Sequence, residues 1–224
     1  MKKYIAVAGN IGVGKSTLVQ KICTYMNWEP FYEPVTENPY ISDFYENMNA
    51  WSFHSQIFFL THRLRIHQEL IRFNGSVIQD RSIYEDAEIF ARNLFLQGKM
   101  SSRDYQTYHS LYETLADFLP PPDLVIYLRA SEDTLISRIR IRNRSYERSI
   151  KREYLAQLNV LYEEWISNFR FCPVLTIPAD ALDFVAHPRH LALILKKVQE
   201  KLTGKEEVIF APIELLDSSE DIEI

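Results

Sequence analysis

Residues 4–20, YIAVAGNIGVGKSTLVQ, restrict the fold more than any other stretch of this chain. A short apolar run, Tyr4–Ala8, leads into Gly9-Asn10-Ile11-Gly12-Val13-Gly14-Lys15-Ser16, and an apolar, helix-compatible stretch follows. This is G-x-x-x-x-G-K-[ST] in a strand–loop–helix setting, a P-loop. Its glycines reach positive φ and let backbone N–H groups close around phosphate oxygens. Lys15 is placed to meet the β- and γ-phosphates and the Ser16 hydroxyl to ligate Mg²⁺. The helix starting near Lys15 adds its partial positive charge. Gly9, Asn10, Ile11, Gly12, Val13, Gly14, Lys15, Ser16 and Thr17 are therefore the expected binding set for a nucleoside triphosphate.

The rest of the chain alternates strands with helices. Trp28–Val35 reads as a short strand broken by prolines, with Glu33 near its end, and a short helix follows around Ser42–Asn47. Trp51–Phe73, free of Gly and Pro, predicts a long and largely buried helix. Gln56, Phe59 and Arg63 share one of its faces at i, i+3 and i+7; that face is either a pocket wall or a solvated edge. Ser76–Asp80 is a second strand with an acid at its carboxyl end. Helices are expected over Ile83 to about Leu96 and from Ser101 to Leu119, where Pro120-Pro121-Pro122 stops the chain. Strand Asp123–Leu128, helix 131–144, helix Glu153–Phe169, strand Pro173–Ile177 and a helix over about Pro188–Leu202 complete the body. This order implies an α/β fold with a parallel sheet covered on both faces.

Composition narrows the function classes. No apolar run approaches the ~18 residues of a membrane span, and the apolar run behind Met1-Lys2-Lys3 enters the P-loop, which points to a cytoplasmic protein. Cys23 and Cys172 read as small core residues, and the six histidines show no metal-ligand spacing. The net charge of −5 is unevenly spread: residues 204–224 carry seven acids against Lys205, a charge of −6, which leaves +1 for residues 1–203. The acidic segment is expected to be a flexible tail.

A P-loop alone leaves kinase, GTPase, motor and transporter readings open. No N-K-x-D motif for a guanine base is present. A small-molecule kinase needs an acceptor pocket, a base and a cationic lid, and there are candidates for each. Glu33 and Asp80 close two strands expected beside the P-loop strand; one can serve the metal, the other can take a proton from an attacking hydroxyl. Seven of the 25 Lys and Arg fall within residues 138–152, including Arg138, Arg142 and Arg144. That run suits a lid over the transferring phosphoryl group, and it is also compatible with a solvated basic helix or an RNA-binding patch.

At this point residues 4–203 resemble the deoxyribonucleoside kinases, the group that phosphorylates deoxycytidine, deoxyguanosine and deoxyadenosine. The resemblance rests on Gly9–Ser16, Glu33-Pro34-Val35, Trp51-Ser52-Phe53 with Gln56, Asp80-Arg81-Ser82 with Tyr84 and Asp86, Arg142-x-Arg144, and Glu153-Tyr154-Leu155. It implies a P-loop kinase fold with a five-stranded parallel sheet and an arginine-rich lid, ATP and Mg²⁺ as cofactors, and a homodimer that binds neither nucleic acid nor membrane. By the same resemblance Glu33 is the base for the 5′-hydroxyl and Asp80 belongs to the metal shell. Arg81 holds the 5′-oxygen and phosphate, Tyr45 and Glu147 bind the sugar, Gln56 and Asp86 bind the base, Arg63 pairs with Asp86, and Phe90 stacks. Arg138, Arg142 and Arg144 are the lid arginines. Asn143 stands where the lid often has glycine, Tyr146 where it often has glutamate, and Phe59 is larger than is usual in deoxycytidine-type enzymes. The expected activity is phosphorylation of a deoxynucleoside in salvage, with deoxyadenosine favoured and thymidine disfavoured. The alternatives are a nucleoside monophosphate kinase such as a thymidylate kinase, and a P-loop regulatory or RNA-binding protein.

Overall fold

The computed structural model of the chain describes residues 2–32 and 37–216. Five parallel strands, β1 (Tyr4–Gly9), β2 (Glu29–Phe31), β3 (Val77–Asp80), β4 (Leu124–Arg129) and β5 (Val174–Pro178), form one sheet in the order β2-β3-β1-β4-β5. β1 is central and buried along its whole length, which is why it reads as an unbroken apolar run. Val7 lies opposite Asp80 of β3 and Gly9 opposite Leu128 of β4. The chain crosses from one side of β1 to the other between β3 and β4, so the crevice at the carboxyl ends of these strands is a topological switch point, where open α/β sheets bind ligands.

Period-two alternation along β1 divides the interior. Tyr4, Ala6 and Ala8 enter one core with residues of α3 (Met48–Arg72), α6 (Ser102–Ala116) and α8 (Arg152–Asn168). Ile5 and Val7 enter the other with α1 (Lys15–Met26), α7 (Glu132–Arg142) and α9 (Pro188–Leu202). Helices thus cover both faces of the sheet, as the alternating pattern requires.

Three elements differ from the sequence expectation. α3 starts at Met48, three residues early, because the Asn47 side chain caps it by accepting from the Ala50 N–H at 3.3 Å. The helix expected over Ile83–Leu96 is composite: α4 (Ile83–Glu85), a π-helical stretch over Asp86–Ala91, and α5 (Arg92–Leu96). A π-bulge adds a residue to a turn and leaves residue types unchanged, so the apolar pattern does not reveal it. Finally, the described part of the acidic segment packs on the body. Val208, Phe210 and Leu215 lie against the α1/α9 core, and Glu214, in the short α10 (Pro212–Leu216), pairs with Lys197 at 2.8 Å. Its apolar residues are diluted by the surrounding charge when the segment is read as a whole. α2 (Ile41–Glu46), α3 and the π-helical stretch border the site.

Candidate active site

A cavity of about 600 Å³ opens at the carboxyl ends of β1 and β3, between the P-loop, the π-helical stretch and the lid that follows α7. Its donor half is the P-loop. Gly9 has φ 146°, and a Cβ there would stand 2.7 Å from the Leu128 carbonyl oxygen; at Gly12, φ 83°, it would stand 2.6 Å from Ile139 Cγ1. No larger residue fits either place. Lys15 Nζ reaches back across the loop to the carbonyls of Gly9 (2.9 Å) and Asn10 (3.1 Å). Gly12, Gly14, Lys15, Ser16, Thr17 and Ile11 line the cavity. The Asn10 side chain turns away to the Leu155 carbonyl and Asn159, and the Val13 carbonyl accepts from Arg138 at 2.6 Å. These two shape the loop from behind.

Ser16 Oγ donates to Asp80 Oδ2 at 2.5 Å. Asp80 Oδ1 is buried and has no hydrogen-bond partner among the described residues. An anionic oxygen left open beside a P-loop serine is what a hard divalent cation bound to phosphates takes as ligand, so this pair fits Mg²⁺. The next residue, Arg81, has a left-handed backbone with φ 67° and lays its guanidinium over the Phe90 ring, 4.3 Å from the centroid.

The other half of the cavity is built by α2, α3 and the π-helical stretch. Ile41, Phe44, Tyr45, Gln56, Phe59, Asp86 and Phe90 line it. The buried stripe of α3 runs Ser52, Gln56, Leu60, Arg63, His67, Leu70, so the helix turns polar groups inward at the spacing normally given to apolar ones. Gln56 Oε1 is buried with no partner among the described residues, a group placed for a ligand. Arg63 is fully buried behind Asp86 and is not among the lining residues. Its Nε and Nη2 meet the two Asp86 oxygens at 3.1 and 3.3 Å, and Nη1 donates to the Asp80 carbonyl at 3.1 Å.

The lid arginines take different positions. Arg138 is anchored to the Val13 and Ala179 carbonyls at 2.6 and 2.9 Å. Arg142 forms a two-point pair with the buried Glu147 at 3.0 and 2.7 Å, and Arg144 lies 3.5 Å from the same carboxylate. Asn143 closes α7 at φ 52°, a conformation asparagine tolerates nearly as glycine does, which accounts for the residue at that place. Tyr146 stacks on Tyr45 at 6.0 Å between ring centres. Glu33 lies outside the described residues.

Two groups beneath the site escaped sequence reasoning. Glu85 is fully buried and hydrogen-bonded to the Tyr162 hydroxyl and Arg81; burial raises its carboxyl pKa, against the pull of Arg81 and Lys15. The pattern Ser82-x-x-Glu85 was legible as a helix-start signature. Nothing local to Tyr162 marks it, because it arrives from α8.

A P-loop, a carboxylate with one open oxygen at the neighbouring strand end and an arginine-rich segment over one shared cavity define a P-loop phosphotransferase. A sequence profile of the deoxynucleoside kinases matches residues 5–203, and the chain belongs to that family, whose members are ATP-dependent phosphotransferases. It is 38% identical over 196 residues to a deoxyadenosine/deoxycytidine kinase of Bacillus subtilis (87% of this chain, 90% of the relative). To a deoxyadenosine kinase of Dictyostelium discoideum it is 36% identical over 200 residues, covering 89% of this chain and 80% of the relative. It is similar to the solved structure of deoxyadenosine kinase from M. mycoides with the products dCMP and dCDP bound: TM-score 0.79, 35% identity, 88% of this chain and 99% of the other. No helix among the described residues is long and apolar enough to cross a membrane.

Proposed function

We propose that the chain moves the ATP γ-phosphate to the 5′-hydroxyl of deoxyadenosine in preference to other deoxynucleosides, accepts deoxyguanosine or deoxycytidine less well, and rejects thymidine. The observation that carries this reading is Asp86. Arg63 pairs with it and orients it from behind, and its carboxylate lines the cavity beside Gln56. A carboxylate accepts from the exocyclic amino group of adenine or cytosine, whereas thymine offers a carbonyl oxygen and a methyl there. Carboxylate against carbonyl is repulsive and leaves buried polar groups unpaired. Phe59 and Phe90 supply flat walls for a purine. The relatives' names, deoxyadenosine/deoxycytidine and deoxyadenosine kinase, and the dCMP and dCDP seen with the M. mycoides enzyme agree with an amino-bearing base.

In this reading Gly9 to Thr17 hold ATP, Glu33 takes the 5′-hydroxyl proton, and Arg81 meets the 5′-oxygen and the phosphoryl group. Tyr45 and Glu147 hold the sugar, and Arg138, Arg142 and Arg144 stabilise charge on the transferring group. Mg²⁺ bound by Ser16 and Asp80 would neutralise charge on the donor phosphates. The enzyme works as a cytoplasmic homodimer. The test is competition of the four deoxynucleosides for labelled ATP. Thymidine should fall behind deoxyadenosine by about two orders of magnitude or more in kcat/KM; equal use of the two overturns the assignment of Asp86.

A further inference from the structure

Four donors converge on the buried carboxylate of Glu85. Its Oε1 accepts from the Gly9 N–H at 3.2 Å, from Arg81 Nη1 at 3.3 Å and from the Tyr162 hydroxyl at 2.8 Å; its Oε2 accepts from the Ser82 N–H at 3.0 Å. The Tyr162 oxygen also lies 2.8 Å from the Gly9 carbonyl and receives an N–H from Arg81 Nη1 at 2.8 Å. One carboxylate and one phenol thus join the first P-loop glycine, at the end of β1, to the arginine that follows β3. Neither Glu85 nor Tyr162 lines the cavity, so their effect on a reaction must pass through the groups they hold.

The backbone gives an independent sign of what is being held. Among the described residues, Asn27, Arg81 and Asn143 are the non-glycine residues with positive φ. The two asparagines close helices, where that conformation is ordinary. Arg81 closes nothing; it stands between β3 and α4, and a long side chain is unfavourable there. Strained backbone that persists needs surroundings that over-determine it, and such residues gather at working sites. The left-handed turn sends the guanidinium over Phe90, and Glu85 and Tyr162, both in contact with Gly9, bind its Nη1.

We propose that Glu85, with Tyr162, is the positioning residue of phosphoryl transfer, fixing the Arg81 guanidinium in register with the P-loop that carries the donor. The proposal rests on the assignment of Arg81 to the phosphoryl group. Transfer depends on a cation preset to about half an ångström, and a misplacement of about 1 Å can cost ~10² in rate. A carboxylate accepts at both oxygens; an amide of the same shape accepts at one end only and turns an N–H toward either the Ser82 N–H or the three donors that share Oε1.

The test compares wild type, Glu85→Gln, Tyr162→Phe and Arg81→Lys, and Glu85→Gln in the Arg81→Lys background, by kcat, KM for both substrates, and Tm. Glu85→Gln should lower kcat by about 10–100-fold while both KM values stay within about threefold. Tyr162→Phe, which removes only a hydroxyl, should lower kcat several-fold. With lysine at position 81 the fork being positioned is gone, so adding Glu85→Gln should change kcat by less than about twofold. A Glu85→Gln enzyme that melts early and keeps wild-type kcat shows a helix cap only, and overturns the proposal. An equal loss of kcat with and without Arg81 overturns it too, since Glu85 would then act elsewhere. Should Glu85→Gln not fold, a Tyr162→Phe enzyme with normal Tm and unchanged kcat is the refuting result. An Arg81→Lys enzyme of unchanged kcat removes the assignment of Arg81 itself, an outcome distinct from failure at Glu85 alone.

Discussion

Replacing Arg63 by methionine takes from Asp86 both of its guanidinium contacts, at 3.1 and 3.3 Å, and from the Asp80 carbonyl a donor at 3.1 Å. The two side chains are 0% and 3% exposed, so only water within the cavity that Asp86 lines can replace the lost guanidinium. Breaking one side of such a pair costs ~3–5 kcal/mol, most of it the penalty on the stranded charge. In a chain of this length ~1 kcal/mol moves Tm by about 2–4 °C, so Arg63→Met should melt about 6–20 °C early. Asp86→Ala strands the guanidinium instead and should fall in the same range. The double variant strands no charge. What it still lacks is the donor to the Asp80 carbonyl, worth roughly 1–2 kcal/mol, or a shift of about 2–8 °C. Scanning calorimetry of the four proteins closes the cycle, and the double variant should be more stable than either single. Additive losses, or single shifts below about 3 °C, would show that the pair is hydrated and refute the reasoning. The double variant should also use thymidine better relative to deoxyadenosine, since the carboxylate proposed to meet the base is gone.

Glu33→Gln keeps the shape of the expected base and should lower turnover by ~10²–10⁴ with little change in deoxynucleoside binding by calorimetry; more than about a tenth of wild-type turnover rules Glu33 out. His67 is buried edge-on to Tyr4 at 5.6 Å, and burial lowers its pKa to about 4. Because the unfolded chain binds this proton near pH 6.5 and the folded chain does not, stability is complete above that pH and declines toward pH 4. The loss at pH 5 is ~2 kcal/mol, and urea titrations at pH 7 and 5 should show it in wild type but not in His67→Leu. Phe210→Ala removes a half-buried anchor of the C-terminal segment and should cost ~1–2 kcal/mol, a drop of about 2–8 °C; an unchanged Tm would mean that this contact is not made in solution.

What could be seen in the sequence divides along a physical line. The P-loop and Asp80 were legible because phosphate binding forces glycine, lysine and a strand-end acid into fixed spacings. Gln56, Phe59 and Arg63 were placed on one helix face by counting residues, but depth cannot be counted: Gln56 and Phe59 line the cavity while Arg63 lies behind Asp86. Residues 86–91 gave no warning of π-helical geometry, because an extra residue in a turn is a property of the backbone. Lid arginines were recognisable as a group by their density. That Arg138 would bind two carbonyls while Arg142 and Arg144 share Glu147 depends on tertiary neighbours. Tyr162 reaches Gly9 across 153 positions, and no local pattern records such a meeting.

The sheet's central strand separates two layers that meet the cavity from opposite sides. The layer under α3, α6 and α8 backs Gln56, Asp86 and Phe90, while the layer under α1, α7 and α9 backs Val13 and Arg138; Gly9 and Asn10 are tied across to Glu85, Tyr162 and α8. Between them stand side chains of a buried strand that point alternately to one layer and to the other. Substitutions at Tyr4, Ala6 or Ala8 should therefore be felt first on the α3 side of the cavity, and those at Ile5 or Val7 first on the α1 side. The partition that separates the two sides is six residues long.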